Sequence, residues 1–130
     1  MTRREIDVPG QAAPISHYAH AVRADGPLLF VSGVVPVDRD GRLVGGDDIV
    51  DQARAVFANL AEVLAAGGAG LADVVKVTVF LTDIADRPWI NPVRQEAFGA
   101  VRPASTLVEV SQLAIPGAKI EVEAVAVLAG

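Results

Sequence analysis

Lys119-Ile120-Glu121-Val122-Glu123-Ala124-Val125-Ala126-Val127-Leu128, near the end of the 130-residue chain, decides the architecture. Side chains alternate across a strand, so Ile120, Val122, Ala124, Ala126 and Leu128 share one face while Glu121, Glu123, Val125 and Val127 share the other. A second segment, Val74-Val75-Lys76-Val77-Thr78-Val79-Phe80-Leu81, is apolar and β-branched and closes at Asp83, the composition of a central strand. It sets Val75, Val77, Val79 and Leu81 against Lys76, Thr78 and Phe80. Both strands therefore carry apolar residues on both faces.

Two helices flank the second segment. Ile49, Ala53, Val56, Phe57, Leu60, Val63 and Leu64 recur at three- and four-residue steps, with Asp47 or Asp48 as N-cap and Gly67-Gly68 as the stop. Asp86 and Pro88 open a second helical segment that runs through Phe98, and Pro92 delays its regular part. Ala19 to Ala24 and Leu28 to Ser32 read as a hairpin joined at Asp25-Gly26-Pro27, and Ser105 to Val110 as a further strand before a Pro116-Gly117 turn. The predicted order is β-β-α-β-α-β-β, an α+β domain. Two helices cover one face of such a sheet, so Phe80, Val125 and Val127 require another cover. A second copy of the chain supplies it most economically.

With 130 residues, 52% of them hydrophobic, the chain has room for one domain spanning residues 1–130. A net charge of −5 opposes phosphate-backbone binding, which depends on clustered cations, so no nucleic-acid partner is expected. The absence of cysteine removes disulfides, thiol nucleophiles and thiolate ligands; two histidines, His17 and His20, are a thin basis for a metal site, and no metal or cofactor is expected. The amino terminus lacks the apolar core of a signal peptide, and no apolar run reaches the ~20 residues of a membrane span. The expected setting is cytoplasmic, without membrane attachment.

Four ordered patterns carry a resemblance. They are Tyr18 before the first strand; Val31-Ser32-Gly33-Val34-Val35-Pro36-Val37; Asn91 followed by Val93-Arg94-Gln95-Glu96-Ala97-Phe98; and Pro103-Ala104 through Glu109 with Lys119-Ile120-Glu121-Val122-Glu123-Ala124. Together they resemble the Rid (reactive intermediate deaminase, YjgF-type) family over nearly the whole chain. The resemblance implies a chorismate-mutase-like fold, a mixed sheet with two helices on one face, a homotrimer, and small-molecule clefts between subunits. It also implies cofactor-free hydrolysis of 2-imino or 2-enamino acids to the keto acid and ammonia. In that family an arginine right after the Pro-Ala dipeptide holds the substrate carboxylate, and a glutamate on the last strand positions or activates water. Glu121 matches that glutamate, and Tyr18, Ser32 and Asn91 match cleft-lining positions. Ser105 stands where the arginine should be, Leu107 where many members carry cysteine, Val34 where a polar residue is common, and His17 where a proline precedes the tyrosine.

Each candidate has an ordinary role beside the functional one. Glu121 lies among apolar neighbours, where a carboxylate is costly unless paired or working; Glu109 and Glu123 read as solvated or ion-paired. Tyr18 can be partial core, Ser32 a backbone cap, Asn91 a helix cap, Trp89 packing against the first turn, and His17 a surface residue. The leading reading is a hydrolytic deaminase-like enzyme acting on a small imine or enamine at a trimer-interface cleft, with catalytic Glu121 and Ser105 and with Tyr18, Ser32, Asn91 and Leu107 binding substrate. With serine for arginine, the substrate should be neutral at that end or larger than the standard 2-imino acids, unless Arg23, Arg87 or Arg94 reaches in; Arg102 falls on the opposite strand face. The alternative is a non-catalytic small-molecule-binding or pathway-accessory trimer. A ribonuclease role fits the acidic charge poorly, and an isomerase of chorismate-mutase type would want more cations.

Overall fold

The computed structural model describes residues 3–129; Met1, Thr2 and Gly130 of the expected single domain lie outside the described residues. Six strands, β1 (Arg3–Ile6), β2 (Ala21–Ala24), β3 (Leu28–Val34), β4 (Val74–Leu81), β5 (Ala104–Glu109) and β6 (Ile120–Val127), accompany two helices, α1 (Ile49–Ala66) and α2 (Arg87–Phe98). The main sheet runs β3-β6-β4-β5. β6 pairs antiparallel with both β3 and β4, whereas β4 and β5 are parallel and are connected through α2. This is the mixed sheet of the expected α+β fold.

Alternation in β4 and β6 places Val77, Val79, Leu81, Ile120, Val122 and Ala126 under the helices with no exposed surface. α1 answers with Ala53, Val56, Leu60 and Leu64, all at 0% exposure, and each buried valine or leucine contributes roughly 1.5–3 kcal/mol on leaving water. Asp48 caps α1 by accepting from the Asp51 amide at 3.0 Å, and Gly68 ends it at φ +85°. α2 begins at Arg87 after Asp86, where the sequence opened it, and Pro92 does not delay its regular part as expected. Pro92 forfeits one helical hydrogen bond, yet Ile90, Val93 and Phe98 are buried from this helix and Phe57 meets Phe98 edge to face at 5.7 Å, so packing outweighs the lost bond.

The expected hairpin does not form. β2 turns away at Asp25-Gly26-Pro27 and pairs with β1 as a separate ribbon, while β3 pairs with β6. β1 carries no apolar alternation; ions hold it instead. Arg3 bonds Glu5 and donates to the Val74 carbonyl at 3.0 Å, and Arg102 pairs with both Glu5 and Asp7. The β2–β3 turn also covers Val127, whose exposure is 1%, because Gly26 crosses over it. The rest of that sheet face stays open, with Phe30 74% exposed and Val108 38% exposed.

Candidate active site

At the edge of the main sheet, β5 faces α2 across a pocket of about 300 Å³. Register fixes what enters it: Ser105 lies beside Val77 and Leu107 beside Val79, so both point to the helix-covered side. The segment before β2 closes the pocket and is anchored by the Ala19 amide on the Pro103 carbonyl at 3.1 Å. His17 Nε2 lies 3.1 Å from the Val101 carbonyl, and His20 accepts from the Val8 amide through Nδ1 at 2.8 Å with Nε2 3.0 Å from the Ala12 carbonyl. Both rings therefore brace the segment. They are not positioned as acid–base groups of the pocket.

Three hydroxyls and two arginines meet there: Ser16, Tyr18 and Ser105 with Arg87 and Arg94, walled by Ile15, Ile84 and Leu107. Ser16 donates to Asn91 Oδ1 at 2.7 Å, and the Tyr18 hydroxyl accepts from the Ile15 amide at 3.3 Å. Arg94 is 1% exposed. Its Nη2 donates to Ser105 Oγ at 2.8 Å, its Nε is buried without a partner, and no ion pair reaches it among the described residues. Burial pulls its pKa down to about 10, against a smaller opposing effect of Tyr18. It remains a cation at neutral pH. The expectation of a substrate neutral at this end was made unless Arg23, Arg87 or Arg94 reached in, and Arg87 and Arg94, both from α2, line the same pocket.

Glu121 lies elsewhere. It projects from β6 on the open side of the sheet, opposite in face to Ser105, with its carboxylate seated over Gly33, where any Cβ would collide with it. Ser32, beside Gly33 at a register shift in β3, is exposed. Within one chain the sequence-derived candidates thus fall into two groups: Tyr18, Ser105 and Leu107 in the pocket, with Asn91 joined through Ser16, and Glu121 with Ser32 across the sheet. Asn91 sits inside α2 and caps nothing. Trp89 is 65% exposed, not packed on the first turn. Arg102 is engaged by β1, and Glu109 accepts from the Ile84 amide at 3.0 Å at the pocket rim. No cluster of three His, Cys, Asp or Glu suited to a metal occurs among the described residues, and no helix there is long and apolar enough to cross a membrane.

Arg94 is the residue the sequence reading left outside the site. Its signal was positional: it falls midway between Ile90 and Phe98 on the buried stripe of α2, a place where an unpaired charge needs a reason.

Comparison with known proteins finds relatives over nearly the whole chain. Residues 10–128 match the family described as Endoribonuclease L-PSP. The 3-aminoacrylate deaminase RutC of Acinetobacter baylyi is 38% identical over 124 residues, 95% of this chain and 97% of that one. A 2-iminobutanoate/2-iminopropanoate deaminase of Dermatophagoides farinae is 35% identical over 127 residues, 97% of each chain. The crystal structure of YyfB from Yersinia pestis, a protein of the conserved Rid family, matches with a TM-score of 0.91 at 34% identity, covering 98% of this chain and 100% of that one. A chain with this fold, these ordered motifs and these relatives belongs to the Rid (YjgF) family.

Proposed function

We propose that the protein hydrolyses a small imine or enamine metabolite to the corresponding carbonyl compound and ammonia, in a cytoplasmic homotrimer whose clefts lie between subunits. The observation that carries this reading is the division of the candidate site between two faces of one sheet. The Arg94–Ser105 pocket opens at the β5 edge and Glu121 lies on the uncovered face, so a neighbouring copy seated on that face would bring the two halves together. The exposed Phe30 and Val108 on the same face support such a contact.

An iminium carbon is already electrophilic, so the protein need supply only placement and modest proton transfer. An enamine first gains a proton at carbon to become the iminium. Water then adds to the C=N carbon while Glu121 accepts a proton from the water, forming a carbinolamine. The same carboxyl group returns that proton to nitrogen, and the regenerated carboxylate removes the hydroxyl proton as the C–N bond breaks, so that ammonia leaves as the C=O bond forms and carries the proton away as ammonium. Tyr18 and Ser105 orient the substrate, Leu107 excludes bulk water from its apolar end, and Ser32 and Asn91 shape the rim. Because the guanidinium enters from α2, not from the β5 position after Pro-Ala, the preferred substrate differs from the short 2-imino acids of arginine-bearing members.

The test generates 2-imino acids of rising side-chain length with an amino-acid oxidase and follows their disappearance. Wild type should exceed spontaneous hydrolysis for at least one of them, and Glu121→Ala should lower that rate by roughly 10²-fold, the ordinary worth of a positioned acid–base group. No acceleration for any imine would leave a binding protein in place of an enzyme.

A further inference from the structure

We infer that Arg94 is the receptor for an anionic group of the ligand, a carboxylate held at the inner wall of the pocket, so that the molecules bound there are small organic acids. This deepens the reading above and rests on it only in taking the pocket as the ligand site. Arg3 and Arg102, the other arginines held by side chains close to the main sheet, each have a carboxylate partner. Arg94 is more deeply buried than either and has none among the described residues, while its Nε points at no acceptor. A buried cation in that state lacks a counter-ion, and the pocket is where one can enter.

The remaining polar groups of the pocket are arranged for the same guest. Ser105 Oγ already accepts from Arg94, so its own hydrogen is free to be donated inward. The Tyr18 hydroxyl likewise accepts from the Ile15 amide and keeps its hydrogen. Arg87 adds a second cation to the lining, which contains no carboxylate. The site therefore offers donors and positive charge, and an ionised carboxylate is the common acceptor-only group that takes both. Ile15, Ile84 and Leu107 leave the rest of the volume to a short hydrocarbon chain. An amide of the same shape brings two donors of its own into a wall of donors and is disfavoured.

Calorimetric titration of the full chain with 4-methyl-2-oxopentanoate and with its neutral amide tests this without requiring turnover. The acid should bind wild type at least about tenfold more tightly than the amide, the worth of one charge-assisted hydrogen bond. Arg94→Gln should bring the acid down to the level of the amide, and Arg94→Lys should recover part of the difference. Equal binding of acid and amide by wild type overturns the assignment, as does unchanged acid affinity in Arg94→Gln. Should Arg94→Gln fail to fold, the wild-type pair decides, with Ser105→Ala expected to weaken the acid and spare the amide. Acid binding through Arg94 without imine hydrolysis would sink the deaminase reading and leave this one standing. Hydrolysis with undiminished kcat/KM in Arg94→Gln would do the reverse.

Discussion

At the scale of the residue, Ser105 and Arg94 form one unit: a hydroxyl on β5 and a guanidinium on α2, 2.8 Å apart, share a space that an arginine on β5 would otherwise enter. Installing that arginine by Ser105→Arg sets a second cation beside one that lacks a counter-ion among the described residues, and removes the hydroxyl that accepts from Nη2. The variant should lose about 2–4 kcal/mol of stability in denaturant titration and gain no turnover of short 2-imino acids, whereas Ser105→Arg combined with Arg94→Met should recover most of the stability. A single variant as stable as wild type would show that the pocket holds both room and counter-charge for a second guanidinium. Ser105 and Leu107 were legible through the resemblance to the Rid family, which marks their positions after Pro103-Ala104, and the register of β5 gives them one face. Arg94 was visible only as one of several arginines within reach. An arginine on an apolar stripe can bury its stem and carry its charge out to water, so spacing alone does not say whether the head group is buried.

Among the elements, those built on apolar periodicity were readable and those built on ions were not. α1, β4 and β6 follow their hydrophobic patterns to within a residue or two, and the cap at Asp48 and the stop at Gly67-Gly68 are where turn chemistry puts them. β1 has the sequence Arg-Arg-Glu-Ile and no apolar face, so nothing local announced it. Its strand exists because Arg102, nearly a chain length away, fixes Glu5 and Asp7, and because Arg3 reaches Val74. Burial pushes the Glu5 carboxyl up, but the Arg102 amide and the Arg3 and Arg102 guanidiniums outweigh it and hold the pKa below the usual range; the hydrogen bond from Arg102 lowers that of Asp7. Carboxyl groups held low in the folded state stabilise it above their ordinary pKa, and that contribution fades as pH falls through the depressed folded values. Amide exchange in β1 and β2 should therefore accelerate selectively below about pH 4, and Arg102→Ala should produce the same local loosening at neutral pH. Uniform acceleration across α1 and β6 as well would mean that the ribbon belongs to the global unfolding unit.

For the whole molecule, the two-faced sheet divides the proposed site, with the Arg94–Ser105 pocket at the β5 edge and Glu121 on the other face. The apolar residues Phe80 and Val125 were placed on an uncovered face by alternation alone, and the open side of the sheet is where Glu121 lies. A contact that seats one copy's open face against the next copy's β5 edge is heterologous, and three such contacts close a ring. Each cleft would then use Glu121 from one subunit and the Arg94–Ser105 pocket from its neighbour. The most direct measurement co-expresses two inactive variants, Glu121→Ala and Arg94→Gln, purifies the mixed assembly, and compares its imine hydrolysis with wild type. Random mixing leaves both halves intact in about a quarter of the clefts, so the composite site predicts recovery to roughly a quarter of wild-type activity. No recovery above either variant alone, from an assembly shown to contain both chains, would contradict a site shared between subunits.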